Sequence, residues 1–121
     1  MSVPVTIADD SAFSRKTVMR ALPKDWDVLV HEATNGKEAI DAVKAGLADV
    51  LFLDLTMPEV DGFQVLQYLN ENHNKTIVIV ISADIQPEAV ELVNSLGAYR
   101  FLKKPLSPNE LHQALFEVGL I

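Results

Sequence analysis

The sequence contains no cysteine. That excludes a disulfide framework and any thiolate metal site, and it fits a reducing compartment. Basic residues are few, 10 against 17 acidic, for a net charge of −7. Arg15-Lys16 and Lys103-Lys104 are the only adjacent basic pairs, so no patch suited to a nucleic-acid backbone is expected. Long hydrophobic runs are also missing. The longest wholly aliphatic stretch, Ile77 to Ile81, is far short of the roughly 20 residues that span a bilayer. Met1-Ser2-Val3-Pro4 has no charged segment leading into an apolar one, so no signal peptide is expected. The chain reads as a cytoplasmic protein with neither nucleic acid nor membrane as a direct partner.

What is present supports a packed core. With 121 residues and 49% hydrophobic content, the expectation is one domain over residues 1–121. There is no internal repeat, low-complexity segment or interdomain linker. The most informative stretch is Val50-Leu51-Phe52-Leu53 running into Asp54, followed by Pro58 and Asp61-Gly62. A short apolar run bounded by turn residues predicts a strand buried on both faces, as in parallel sheets.

Other strands are predicted at Val3 to Ala8, at Val28 to about Ala33, at Thr76 to Ser82 and at Tyr99 to Leu102. Helices are expected between them. Ser11 is a candidate N-cap for residues 12–22, which stop before Pro23. Asn35-Gly36 and Asp61-Gly62 read as turns ahead of helices over 37–45 and 63–71. Pro87 and Pro108 suit the first turns of the last two helices. Strict strand–helix alternation predicts a doubly wound α/β fold of the flavodoxin-like (βα)5 kind, with a five-stranded parallel sheet. In the order 2-1-3-4-5, the carboxyl ends of the first and third strands meet at the switch point, where such sheets place ligands. Asp9, Asp10 and Asp54 would then lie together.

Taken singly, each acid has an ordinary explanation. Asp9-Asp10 suits the positive end of a helix, and Asp54 suits a solvated strand end. Taken together, two carboxylates about 5 Å apart repel by roughly 3 kcal/mol at an effective dielectric near 20. Three require partial protonation or a cation. An all-oxygen donor set suits a hard divalent ion such as Mg²⁺, with Mn²⁺ as an alternative. Ser82 and Lys103-Lys104 end the next two strands and would join the same edge.

Asp9-Asp10, Asp54 with Met57-Pro58 and Asp61-Gly62, Ser82-Ala83, and Lys104-Pro105 together resemble the receiver domain of two-component response regulators, as in CheY-like proteins. The resemblance spans essentially the whole chain. It implies that Asp54 is the phosphoacceptor, that Asp9, Asp10 and Asp54 hold Mg²⁺, and that the backbone carbonyl of Thr56 completes the protein ligands. It further implies that Lys104 pairs with the phosphoryl group, through a cis Lys104-Pro105 peptide, while strand alternation turns Lys103 away. Ser82 takes the hydroxyl position that follows the phosphoryl group. Phe101 takes the aromatic switch position, without the phenolic hydroxyl that a tyrosine there would offer. Thr56 and Asp84 take positions that tune how long the group lasts.

Implied partners are a sensor histidine kinase or phosphotransfer protein, and a downstream output domain or target, with chemotaxis one setting. The switched face would comprise the fourth helix, fifth strand and fifth helix, which could also support a phosphorylation-linked dimer. The protein would catalyse only its own phosphorylation and dephosphorylation. The apolar ending Val118-Gly119-Leu120-Ile121 is compatible with a receiver cut from a longer chain. Three rivals differ in testable residues. A haloacid-dehalogenase-type phosphatase needs an Asp where Thr56 stands, and Asp9-Asp10 would repel a flavin phosphate. A receiver-like interaction scaffold that takes up no phosphate is the main alternative.

Overall fold

Every residue of Val50–Leu53 is buried, and alternate side chains enter different cores. Val50 and Phe52 join one cluster, Leu51 and Leu53 the other. This is the period-2 geometry of a strand covered on both faces. The computed structural model describes residues 2–121. In chain order these form β1 (Val3–Ala8), α1 (Ala12–Ala21), β2 (Val28–Ala33), α2 (Gly36–Lys44), β3 (Val50–Leu53), α3 (Gly62–Glu71), β4 (Ile77–Ser82), α4 (Pro87–Ser95), β5 (Arg100–Lys103) and α5 (Pro108–Glu117). All strand pairs are parallel, in the order β2-β1-β3-β4-β5.

Helices α1 and α5 supply Val18, Ala21, Leu111, Ala114 and Leu115 to the core on one face. Helices α2, α3 and α4 supply Ala39, Val65, Leu66, Leu69 and Val93 to the other. Fully burying a side chain such as Phe52 or Leu111 contributes about 2–3 kcal/mol, and Ile7, Leu51, Leu53, Leu66, Ile79 and Leu115 are buried as deeply. Trp26, in the connection before β2, is half-buried against the first core.

Element ends follow local chemistry. Ser11 and Ser107 cap α1 and α5 by accepting from the backbone N–H of Ser14 and Glu110. Asn35 and Asp61 act as N-caps, so Gly36 and Gly62 are the first helical residues of α2 and α3. Asn-Gly and Asp-Gly, read from sequence as turns, are therefore helix starts; a side-chain oxygen that can close a turn can equally accept from an orphan helical N–H. At Asp61 the arrangement is a full capping box with Gln64. The fifth strand lies one residue later than the sequence predicts, and Thr76 sits just before β4, its hydroxyl donating to the Ala48 carbonyl.

Candidate phosphoacceptor and metal site

The site forms where β1 and β3 end side by side. Ala8 is in register with Leu53, and the next backbone N–H groups continue the ladder: Asp9 N–H donates to Ala33 O and Asp54 N–H to Ala8 O. Three consecutive loops thus leave the sheet at one level. Carboxylate oxygens of Asp9, Asp10 and Asp54 lie within 4.8 Å of one another. Asp9 and Asp54 are buried, and Asp10 is exposed.

Lys104 reaches this cluster from the end of β5. Its Nζ donates to Asp9 Oδ2 at 2.9 Å and lies 3.6 Å from Asp54 Oδ1. The backbone delivers it there, because Lys104 N–H donates to Ser82 O and so extends the β4–β5 pairing by one residue. Lys103, one step earlier, is exposed. The Lys104–Pro105 peptide is cis.

Burial raises the Asp54 pKa above the ordinary carboxylate value, and the negative charge of Asp9 raises it further, against the opposing pull of Lys104 and the backbone at Thr56 and Leu55. Burial alone would lower the Lys104 pKa. The hydrogen bond to Asp9 and the charges of Asp54 and Asp9 outweigh it, and the ammonium titrates above its usual range. Three carboxylates against one ammonium leave two negative charges in excess, which one divalent cation would balance. The donors are all oxygen, the set preferred by Mg²⁺ and its hard relatives, so the residues fit such an ion.

The other candidates lie in β4, in β5 and in the loops that follow β3 and β4. Ser82 is buried at the end of β4, its hydroxyl accepting from Asp84 N–H at 3.1 Å. Asp84 is half-buried and its Oδ1 accepts from Gln86 N–H, toward the start of α4. Thr56 is exposed in the loop after Asp54. Phe101 is half-buried in β5, packed on the core that contains Val80, its partner in register.

Two features were not foreseen. Arg15, noted from sequence only as half of a basic pair, donates from Nη1 to Asp9 O and from Nε to Glu32, each at 2.8 Å. The available signal was its place in the second turn of α1, because helical side chains lean toward the helix N-terminus and so toward Asp9. The second is the pair of glycines. A Cβ on Gly62 would sit 2.4 Å from Asp54 O, and one on Gly36 would sit 2.1 Å from Val60 O. The missing side chains let the loop that follows Asp54 close, with Gly62 N–H on Leu55 O and Gly36 N–H on Val60 O.

Residues 5–116 match the model for the response regulator receiver domain. The chain belongs to that family. It is similar to chemotaxis protein CheY of Thermotoga maritima, at 33% identity over 98% of this chain and 99% of that protein. It also resembles the solved receiver domain of the putative response regulator NarL from Mycobacterium tuberculosis, at 36% identity and a TM-score of 0.86, covering 97% of this chain and 95% of that one. A methylesterase/glutaminase of Geobacter sulfurreducens is 38% identical over 85% of this chain, but the chain spans only 28% of its length. The receiver family is one of signalling proteins and not itself a family of enzymes, although some relatives join a receiver to a catalytic domain. Receivers bind Mg²⁺ through an acidic pocket, and the Asp9-Asp10-Asp54 cluster fits that description. Among the described residues, no helix is long and apolar enough to cross a membrane.

Proposed function

We propose that residues 1–121 act as one cytoplasmic receiver unit in which Asp54 accepts a phosphoryl group from a phosphohistidine on a sensor kinase or phosphotransfer protein. The observation that carries this is the pairing of a buried carboxylate at a strand end with an ammonium 3.6 Å away and two further acids beside it. An Asp54 carboxylate oxygen attacks phosphorus. The new O–P bond replaces the N–P bond, and the imidazole leaves. Such transfers depend on positioning and on neutralising charge. Asp9, Asp10, Asp54 and the Thr56 carbonyl would hold the divalent ion, Mg²⁺ or in its place Mn²⁺, which when bound offsets charge on the phosphoryl oxygens.

Lys104 exchanges partners in this scheme. In the resting arrangement its ammonium is divided between Asp9 and Asp54. Esterifying Asp54 removes one carboxylate charge and offers phosphoryl oxygens, to which Lys104 transfers. Ser82 would donate its hydroxyl to the same group and give up the Asp84 N–H. Phe101 would follow into the space that Ser82 vacates, biasing an existing equilibrium at the α4-β5-α5 face. That face would pass the signal to an output domain or target, in chemotaxis or another pathway, directly or by phosphorylation-linked dimerisation. Thr56 and Asp84 would set access of water to the acyl phosphate.

A groove of about 270 Å³ beside Lys104 is lined by Phe13, Val18, Pro105 and Leu106, and Phe13 is 76% exposed. A solved relative from Borrelia burgdorferi, 31% identical, is a CheX-CheY-BeF3-Mg complex.

The test is incubation with acetyl phosphate and Mg²⁺, followed by intact mass. The wild type should gain one phosphoryl group, and Asp54→Asn, Lys104→Ala and Asp10→Ala should lose most or all of it. A wild type that gains nothing would favour the interaction-scaffold reading. Substitution at Thr56 or Asp84 should change the rate of adduct loss while leaving uptake in place.

A further inference from the structure

We infer that Arg15 is a positioning residue for the divalent-cation site, acting through the peptide that joins Asp9 to Asp10. This rests on the metal-binding reading above. Asp9 is already fixed by other groups: its N–H is on Ala33 O, its Oδ1 accepts from Ser11 N–H, and its Oδ2 accepts from Lys104. Asp10 is exposed. The Asp9 carbonyl held by Arg15 lies in the same rigid plane as the nitrogen and Cα of Asp10. Fixing that oxygen fixes the plane from which the Asp10 carboxylate projects.

Arg15 is suited to this role. Its side chain is only 13% exposed, and the Nε bond to Glu32 anchors it. Glu32 stands opposite Ile7 on the edge strand β2. The guanidinium therefore bridges the outer strand to the turn after β1, using two donors that point in different directions. An exposed ion pair contributes little by itself. Here the pair holds one end of a clamp whose other end is the Asp9 carbonyl.

Charge and geometry predict opposite outcomes. A positive charge near three carboxylates repels a divalent cation, so charge alone makes removal of Arg15 tighten metal binding. Positioning makes the same removal weaken it. The experiment is a Mg²⁺ titration, without phosphodonor, followed by backbone amide shifts in NMR. Wild type, Arg15→Met, Arg15→Lys, Lys16→Met and Asp10→Asn are compared. Lys16 is an exposed cation next in sequence and serves as the charge control.

Arg15→Met should weaken Mg²⁺ binding by roughly 10-fold, the range typical when a group that orients a metal ligand is lost. Arg15→Lys keeps the charge but cannot reproduce the fork, and should also weaken binding, by less. Lys16→Met should bind as tightly as wild type or more so. Binding by Arg15→Met at or above wild-type affinity would overturn the inference, as would an equal loss in Lys16→Met. If Arg15→Met fails to fold, the Lys variant decides, and wild-type affinity there overturns the inference. In either of these cases the Mg²⁺ site itself stands. A wild type that binds no Mg²⁺, indistinguishable from Asp10→Asn, would instead remove the metal site and the inference with it.

Discussion

The two ends of the same five strands treat charge differently. At the amino end, Asp27 and Asp49 are exposed. Asp27 accepts from Ser2, and Thr6 and Thr76 satisfy the Leu47 and Ala48 carbonyls. Charge there is solvated and spread out. At the carboxyl end, Asp9 and Asp54 are buried against each other, with Asp10 adjoining and Lys104 paired to both buried acids. The sheet is continuous between the two ends, so the contrast is not a property of the fold's architecture. Stability is supplied by the cores on the two faces, while the carboxyl edge retains an electrostatic conflict that a cation or a chemical change at Asp54 would relieve.

The contrast can be tested by stability measurements, beginning with the largest effect. Mg²⁺ at about 100 times its dissociation constant should stabilise the wild type by roughly 2.7 kcal/mol. The shift in Tm should disappear in Asp10→Ala and persist in Asp49→Ala. Next, Gly62→Ala pushes a Cβ into the Asp54 carbonyl. It should cost about 2 kcal/mol in denaturant unfolding, within the usual range for overpacking.

Asp54→Asn should do the reverse and raise stability at pH 7, read as a higher Tm. The pH dependence fixes the sign. Folded Asp54 keeps its proton to higher pH than the unfolded chain, because burial and Asp9 disfavour its ionised form. Ionising it therefore lowers stability as pH rises through the folded value. The advantage of Asn should be present at neutral pH and fade as pH falls toward the ordinary carboxylate value of 3.8. Asp49→Asn, at the solvated end, should move stability by less than about 0.5 kcal/mol. A change at Asp49 equal to that at Asp54 would erase the distinction between the two ends.

Much of the fold was legible because its signals are periodic and local. Val50–Leu53 and Ile77–Ser82 announce buried strands by composition, and alternation with amphipathic helices restricts the topology to few solutions. The strand-end positions of Asp9, Asp54, Ser82 and Lys104 followed from that topology, and the sheet order is as expected. What was not legible depends on contacts made across the sequence. Asn35-Gly36 and Asp61-Gly62 are ambiguous between turn and cap until Val60 and Asp54 are known to press on the two glycines. The Lys104–Asp9 bond joins residues 95 apart. Arg15 looks like any surface cation until the end of β1 is seen beneath it.

In the proposed function Asp54, and not a neighbouring acid, carries the phosphoryl group. The most direct measurement is borohydride trapping after treatment with acetyl phosphate and Mg²⁺, read by peptide mass spectrometry. An acyl phosphate is reduced to an alcohol, so the modified carboxylate is marked as homoserine at its own position. Conversion at position 54, dependent on both acetyl phosphate and Mg²⁺, is the predicted result. Conversion at position 9 or 10, or at no position, would contradict it.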